Sequence, residues 1–167
     1  MTLSYQEAVD QITGPNGQYE THEINVDGID YTAFKGAPPT IKVLFDLTRL
    51  WGDTEYLVYE NERYTFNEMY ARADAIAAAL SQRYGVVKGD RVAIAMRNYP
   101  EWIMTYIGAL SIGAVVVSMN AWWTSEEMAY GLEDSGAKVL VADSERVERS
   151  HQYCNDNGIS TVGVRLG

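Results

Sequence analysis

The chain has 167 residues, which suits one α/β domain with a short attachment but not two enzyme domains. Its formal net charge is −10, and the first forty residues carry six acidic side chains against one lysine. This acidity excludes the basic surface that nucleic-acid binding requires. The single Cys154 excludes an internal disulfide, and with the distant His22 and His151 it forms no zinc pattern. We therefore expect a reducing, cytoplasmic location and no metal ligands.

The first 38 residues are predicted to form a small appendage. Ser4 and Glu7 form a capping box that opens a short helix. Two β-prone segments then flank Asp27-Gly28, a dipeptide that favours a tight hairpin. The stretch 36–39, Gly-Ala-Pro-Pro, is typical of a linker. We expect an N-terminal appendage over 1–38 and an α/β subdomain over 39–167.

The subdomain is predicted to begin with a helix, a hairpin and a second helix. Thr40 caps the first helix, and the hairpin turns at Asn61-Glu62. Thr65 and Glu68 form a capping box for the second helix, which has apolar residues at helical spacing and stops at Gly85.

Four glycines then recur at separations of 24, 23 and 22 residues: Gly89, Gly113, Gly136 and Gly158. Each precedes an apolar or β-branched run, and these runs predict strands at 91–96, 114–119, 138–142 and 160–164. Segments of helical length separate the runs. The pattern predicts a doubly wound, mainly parallel sheet with helices on both faces.

A charge-free run at 102–125 has the length of a membrane span. Gly113 divides it into a helix-like half and a β-branched half, so we interpret it as two shorter elements. The N-terminus has no basic segment followed by an apolar core, and we predict no signal peptide.

Ligands of open parallel sheets bind beyond the carboxyl ends of the strands. Here those positions are 97–99, 120–123 and 143–146. The simplest interpretation of each is structural. Helix capping explains Asn98, Thr124 and Ser144, packing explains the tandem Trp122-Trp123, and a solvated helix face explains Arg146 and Arg149.

The phosphate-binding and nucleophile motifs are missing. No G-x-G-x-x-G follows the strand at 91–96, no G-x-x-x-x-G-K-[ST] occurs, and no G-x-S-x-G is present. We therefore predict no catalytic residue in this chain.

Four stretches carry a resemblance to a known family: 64–70 (YTFNEMY), 89–102 (GDRVAIAMRNYPEW), 108–117 (GALSIGAVVV) and 130–143 (YGLEDSGAKVLVAD). Together they resemble the start of the acyl-CoA synthetases of the adenylate-forming, AMP-binding superfamily. The resemblance runs from about residue 40 to the C-terminus.

The resemblance implies a ligase that joins a carboxylic acid, expected to be a fatty acid, to CoA. It consumes ATP with Mg²⁺ and releases AMP and pyrophosphate. The phosphate loop and the catalytic lysine of such enzymes lie downstream of residue 167, so we expect an inactive N-terminal fragment. The resemblance also implies CoA contacts at Asn120, Trp122, Arg146 and Arg149, because guanidinium groups suit a 3′-phosphate.

Two other function classes remain open. One is a naturally short, non-catalytic α/β binding module. The other is a small flavodoxin-like nucleotide-binding protein, which the lack of a glycine- or hydroxyl-rich phosphate cradle disfavours. Apolar surface that the rest of a ligase would cover leads us to expect a homo-oligomer.

Overall fold

A computed structural model describes residues 3–167 as two compact units, one that ends at Val43 and one over Leu44–Gly167. The helices are α1 (Tyr5–Thr13), α2 (Ile41–Thr48), α3 (Phe66–Gln82), α4 (Pro100–Ser111), α5 (Ser125–Ser135) and α6 (Ser144–Asp156), with a 3-10 turn at Arg49–Trp51. The strands are β1 (Thr21–Val26), β2 (Ile29–Phe34), β3 (Glu55–Tyr59), β4 (Glu62–Thr65), β5 (Arg91–Ala95), β6 (Val115–Ser118), β7 (Val139–Asp143) and β8 (Ser160–Val164). The unit limit falls within α2, whereas our proposed domain limit at residue 38 precedes that helix.

The first unit contains the predicted helix and hairpin. Both halves of the Ser4–Glu7 capping box are present at the start of α1. Strands β1 and β2 pair antiparallel, with Val26 opposite Ile29 at the turn. Asp27 and Gly28 both have positive φ, 52° and 84°, as a tight hairpin turn of this kind requires.

The second unit is built on the predicted parallel sheet. Its strand order is β6-β5-β7-β8, and every pair is parallel. The chain passes from β5 to β6 on one side and then to β7 on the other side of β5. The sheet therefore has a topological switch point between β5 and β7.

Helices cover both faces of this sheet, as predicted. Side chains alternate along a strand, so neighbouring residues of β5 and β7 enter different cores. One face carries Val92, Ile94, Val139 and Val141, which pack with residues of α3 and α4. The other carries Ala93, Ala95, Leu140 and Ala142, which pack with residues of α5 and α6.

Three local predictions are wrong by one or two residues. The hairpin of β3 and β4 turns at Glu60-Asn61, where Glu60 takes the positive φ of 48°. Helix α4 begins at Pro100 after Tyr99, so Asn98 is not its cap, and the cap of α6 is Asp143 rather than Ser144. The predicted capping box at Thr65 and the predicted cap at Thr124 are both confirmed, and Thr124 forms a capping box with Glu127 as well.

The run at 102–125 contains most of α4 and then β6, in agreement with the division at Gly113. Within residues 3–167, no helix is both long enough and apolar enough to cross a membrane.

Candidate functional site

The candidate site lies at the carboxyl ends of β5, β6 and β7. The loops that meet there are 96–99, 119–124 and the short connection from Asp143 into α6. The backbone N–H of Arg97 donates to Asp143 Oδ2 at 3.0 Å, which joins the ends of β5 and β7 at the switch point. Asp143 Oδ1 accepts from the backbone N–H of Arg146 at 3.2 Å and so caps α6. One buried carboxylate thus fixes both the β5 loop and the start of α6.

Arg146 ties this arrangement to the third loop. Its Nε donates to the carbonyl of Ala121 at 2.6 Å, and its Nη1 lies 3.3 Å from each carboxylate oxygen of Asp143. The side chain is only 1% exposed, so the interpretation of Arg146 as part of a solvated helix face is wrong. The physical reason is that a buried guanidinium is stable only with several hydrogen-bonding partners, and the loop after β6 and the connection from β7 into α6 supply them.

Arg149 is more accessible to water than Arg146, and its guanidinium also makes hydrogen bonds. Its Nη1 donates to the carbonyl of Trp123 at 2.9 Å, and its Nη2 pairs with Glu145 Oε1. Its side chain is 29% exposed. Of the two predicted CoA-contacting arginines, only Arg149 therefore presents a substantial surface to water.

The adjacent residues Trp122 and Trp123 have different roles. Trp123 packs in the core shared with α5 and α6, as the packing interpretation predicts. Trp122 is 70% exposed and lies under the guanidinium of Arg97, 4.7 Å from ring centroid to Cζ. Asn120 Oδ1 accepts from the backbone N–H of Trp122 at 2.9 Å and holds the turn that presents the indole.

These loops border a cleft of about 540 Å³. It is lined by Tyr59, Met96, Arg97, Asn98, Tyr99, Ala121 and Trp122. The structure thus places the predicted Trp122 in the cleft, with Asn120, Arg146 and Arg149 supporting its loop. Arg97 was not among the predicted contacts, although its position in the loop that follows β5 is a signal for it. Tyr59 comes from the β3–β4 hairpin, and no sequence pattern connects that hairpin with the sheet.

Arg165 fixes the aromatic side of the cleft. Its guanidinium binds Glu62 in a bidentate pair, at 2.8 and 2.9 Å, and its Nε lies 3.1 Å from both oxygens of Glu101. The Cζ atom lies 5.1 Å from the ring of Tyr59 and 5.0 Å from that of Tyr99. Arg165 lowers the pKa of Glu62 to about 2, with help from the hydrogen bond that Tyr64 donates.

The groups at this site suit the binding of a ligand. Among residues 3–167, no group of three or more His, Cys, Asp or Glu side chains could hold a metal ion. The cleft offers aromatic faces, one accessible guanidinium and one amide, which suit a planar ligand.

Comparison with known proteins identifies the family. The family model described as "AMP-binding enzyme" matches residues 46–164, most of the chain. This chain belongs to the AMP-binding enzyme family. The resemblance found in the sequence is thereby confirmed.

Several AMP-binding relatives are CoA ligases by name. The chain is 34% identical to 4-coumarate–CoA ligase 3 of Oryza sativa over 103 residues, 62% of this chain and 18% of the rice protein. It is 37% identical to the long-chain-fatty-acid–CoA ligase of Escherichia coli O6:H1 over 91 residues, 54% of this chain and 16% of that protein.

A solved structure agrees with the fold. O-succinylbenzoate coenzyme A synthetase of Bacillus subtilis, in complex with AMP, superimposes with a TM-score of 0.63 at 28% identity. The match covers 72% of this chain and 30% of that structure. In the curated relatives from rice and Escherichia coli, the chain spans less than a fifth of the protein's length.

Proposed function

We propose that this chain is the N-terminal part of an ATP-dependent acyl-CoA ligase. The observation that carries the proposal is the family match over residues 46–164, together with relatives named as CoA ligases. In the proposed reaction the substrate carboxylate attacks the α-phosphate of ATP and releases pyrophosphate. The CoA thiol then attacks the acyl carbonyl of the acyl-adenylate and releases AMP, so that a thioester forms.

We propose a fatty acid as the substrate. Support comes from the Escherichia coli relative, whose name specifies long-chain fatty acids, whereas the rice relative is named for 4-coumarate. Thioester formation by the full-length enzyme should be measured with a panel of fatty acids and aryl carboxylic acids. A preference for aryl acids would contradict the assignment of a fatty acid as substrate, but the proposed ligase activity would stand.

We propose that ATP and Mg²⁺ bind outside this chain. The family implies both, but the described residues contain no acidic cluster for Mg²⁺ and the sequence has no phosphate loop. Adenylation requires electrostatic stabilisation of the pentacovalent phosphorus, which this chain does not supply. We therefore expect no pyrophosphate release from the purified 167-residue chain with ATP, Mg²⁺ and fatty acid. Acid-dependent release, absent without the fatty acid, would contradict this.

We further propose that the edge built by Asn120, Trp122, Arg146 and Arg149 faces CoA. In support, Trp122 borders the cleft, Asn120 holds its turn, and the two arginines fix carbonyls of the same loop. When bound, CoA supplies the thiol that accepts the acyl group, and this chain positions the nucleotide end.

A cytoplasmic location is proposed as well, since ATP and CoA are used there and the one cysteine is a buried free thiol. Fractionation of cells that produce the tagged full-length enzyme would test it.

A further inference from the structure

Helix α2 and the 3-10 turn that follows it present apolar side chains in two directions. Phe45 packs against the core of the second unit, and the hydroxyl of Thr48 lies 2.6 Å from that of Tyr70. Four other large side chains are half or more exposed: Leu44, Leu47, Leu50 and Trp51. A helix that buries only one face normally carries polar residues on the rest of its surface. These four residues, the leucine–tryptophan stripe, therefore suit a second apolar contact.

The stripe has the spacing of a seam between two helices. Leu44, Leu47 and Trp51 stand at i, i+3 and i+7, the positions that meet a partner when helices pair. Aromatic rings continue the apolar surface onto β3. The ring centroid of Phe66 lies 5.0 Å from that of Trp51 and 4.3 Å from that of Tyr56, which is also exposed. The exposed side chains thus form one patch and are not scattered singly.

The size of this patch suits a contact between two copies of the chain. The stripe and Tyr56 together expose roughly 500 Å² of apolar surface, as much as the largest patch of a typical monomer. A twofold contact removes this area from both copies, roughly 1,000 Å² in total, which is near the lower limit for a specific interface. We therefore expect weak and reversible pairing.

The charges beside the stripe are balanced. Arg49 pairs with Asp46 at 3.2 Å and with Asp74 of α3 at 2.7 Å. With Lys42 of α2, two cations stand against two carboxylates, although the whole chain carries a net charge of −10. Two copies can therefore meet here without net repulsion. An anionic lipid surface fits less well, because it attracts helices with many basic side chains on their polar face.

We propose that the leucine–tryptophan stripe is the interface through which two copies of this chain form a symmetric dimer. In a twofold contact, each stripe packs against the same stripe of the second copy. Leu47 lies near the middle of the stripe and therefore meets its own equivalent close to the twofold axis. The dimer does not depend on the reaction proposed above.

Cysteine cross-linking tests this contact. Leu47→Cys should give a disulfide-linked dimer under mild oxidation, since equivalent side chains at a twofold axis come within disulfide range. The native Cys154 is buried and does not compete. Val87→Cys is the matched control and should form no cross-link, because Val87 is similarly exposed but lies between α3 and β5. Both variants carry Ile29→Ser and Tyr31→Ser, which removes the contribution of the exposed β1–β2 hairpin.

Sedimentation velocity measures the strength of the pairing in the same hairpin background. Leu47→Ser with Leu50→Ser should weaken dimerisation by at least about tenfold, because two side chains leave the centre of the contact. Val87→Ser should leave it unchanged. Both leucines are exposed, so the fold should persist, and circular dichroism checks this.

Four results would overturn the proposal. Two are equal cross-linking of Leu47→Cys and Val87→Cys, and the lack of a dimer at the highest concentration. The third is a thiol at position 47 of the monomeric full-length enzyme that does not react with a maleimide, which would show that the rest of that enzyme covers the stripe. The fourth is binding to anionic vesicles by the monomer that Leu47→Ser with Leu50→Ser abolishes. A dimer without thioester formation by the full-length enzyme would reject the proposed function and retain this inference.

Discussion

Arg146 carries a full positive charge almost without contact with water. Asp143, Glu145 and the carbonyl of Ala121 surround its guanidinium, and Nη2 alone has no partner among the described residues. A buried ion pair stabilises a fold little more than well-packed apolar side chains of similar volume would. Removing one partner is different, because the other charge then stays buried without compensation. Asp143 is the partner at risk, because its side chain is buried too.

We predict that Arg146→Ala lowers the free energy of unfolding by about 3–5 kcal/mol, because Asp143 remains buried without its counter-charge. Urea denaturation of the 167-residue chain measures this. The control is Arg149→Ala, whose ion pair with Glu145 is partly exposed and should contribute at most about 1 kcal/mol. Equal losses in the two variants would contradict the role assigned to Arg146.

At the scale of elements, α3 and α4 approach each other closely at Gly108. A Cβ atom at this position would lie 2.7 Å from the carbonyl oxygen of Ala73 and 3.2 Å from Ile76 Cγ2. The nearest obstacle is backbone, which cannot turn aside as a flexible side chain does. The absence of a side chain at Gly108 therefore sets the distance between the two helices that cover one face of the sheet.

Gly108→Ala is expected to destabilise the chain by about 1–3 kcal/mol, the usual range for overpacking a core. Gly36→Ala serves as the control, since a Cβ there meets nothing within 4 Å and φ is not in the left-handed region. Thermal unfolding of both variants gives the comparison. An unchanged midpoint for Gly108→Ala would show that the helices can move apart without cost.

The ion pairs of Arg165 join three elements, β4, α4 and the end of β8. Because the pKa of Glu62 is depressed to about 2 in the folded chain, the pair stabilises the fold above the unfolded pKa of about 4.3. This contribution to the stability of the fold is lost as the pH falls from about 4.3 towards 2.

A carboxyl-directed NMR titration should locate the protonation of Glu62 near pH 2 in the parent chain. In Arg165→Gln the pKa of Glu62 should rise towards its ordinary value, and the stability lost between about pH 4.3 and 2 should decrease. An unchanged Glu62 titration in the variant would exclude Arg165 as the cause.

At the scale of the whole molecule, the described chain leaves large apolar side chains exposed. On the β1–β2 hairpin, Val26, Ile29 and Tyr31 lie on one face of the pair and all three are exposed. The net charge of −10 opposes association, but repulsion decays over about 8 Å at physiological salt and cannot prevent close docking.

We therefore predict reversible self-association of the 167-residue chain at high concentration. Sedimentation velocity over a wide concentration range should show a rising weight-average sedimentation coefficient. Ile29→Ser with Tyr31→Ser should reduce association, while Thr32→Ser on the opposite face of the hairpin should not. A clean monomer at the highest concentration would reject the prediction.

The sequence by itself determined the fold class and the family. Buried parallel strands require runs of apolar residues without polar alternation, and capping boxes and glycines mark where each helix begins and ends, so these features are local. The positions of Trp122 and Asn120 on the loop after the second strand of the sheet also followed from the sequence.

Tertiary structure decided how the site is assembled, because that assembly depends on which groups distant in the sequence meet. Arg146 became a buried support only where the ends of β5, β6 and β7 converge. Tyr59 reached the cleft because the β3–β4 hairpin packs on α3 and α4 and because Arg165 binds it through Glu62.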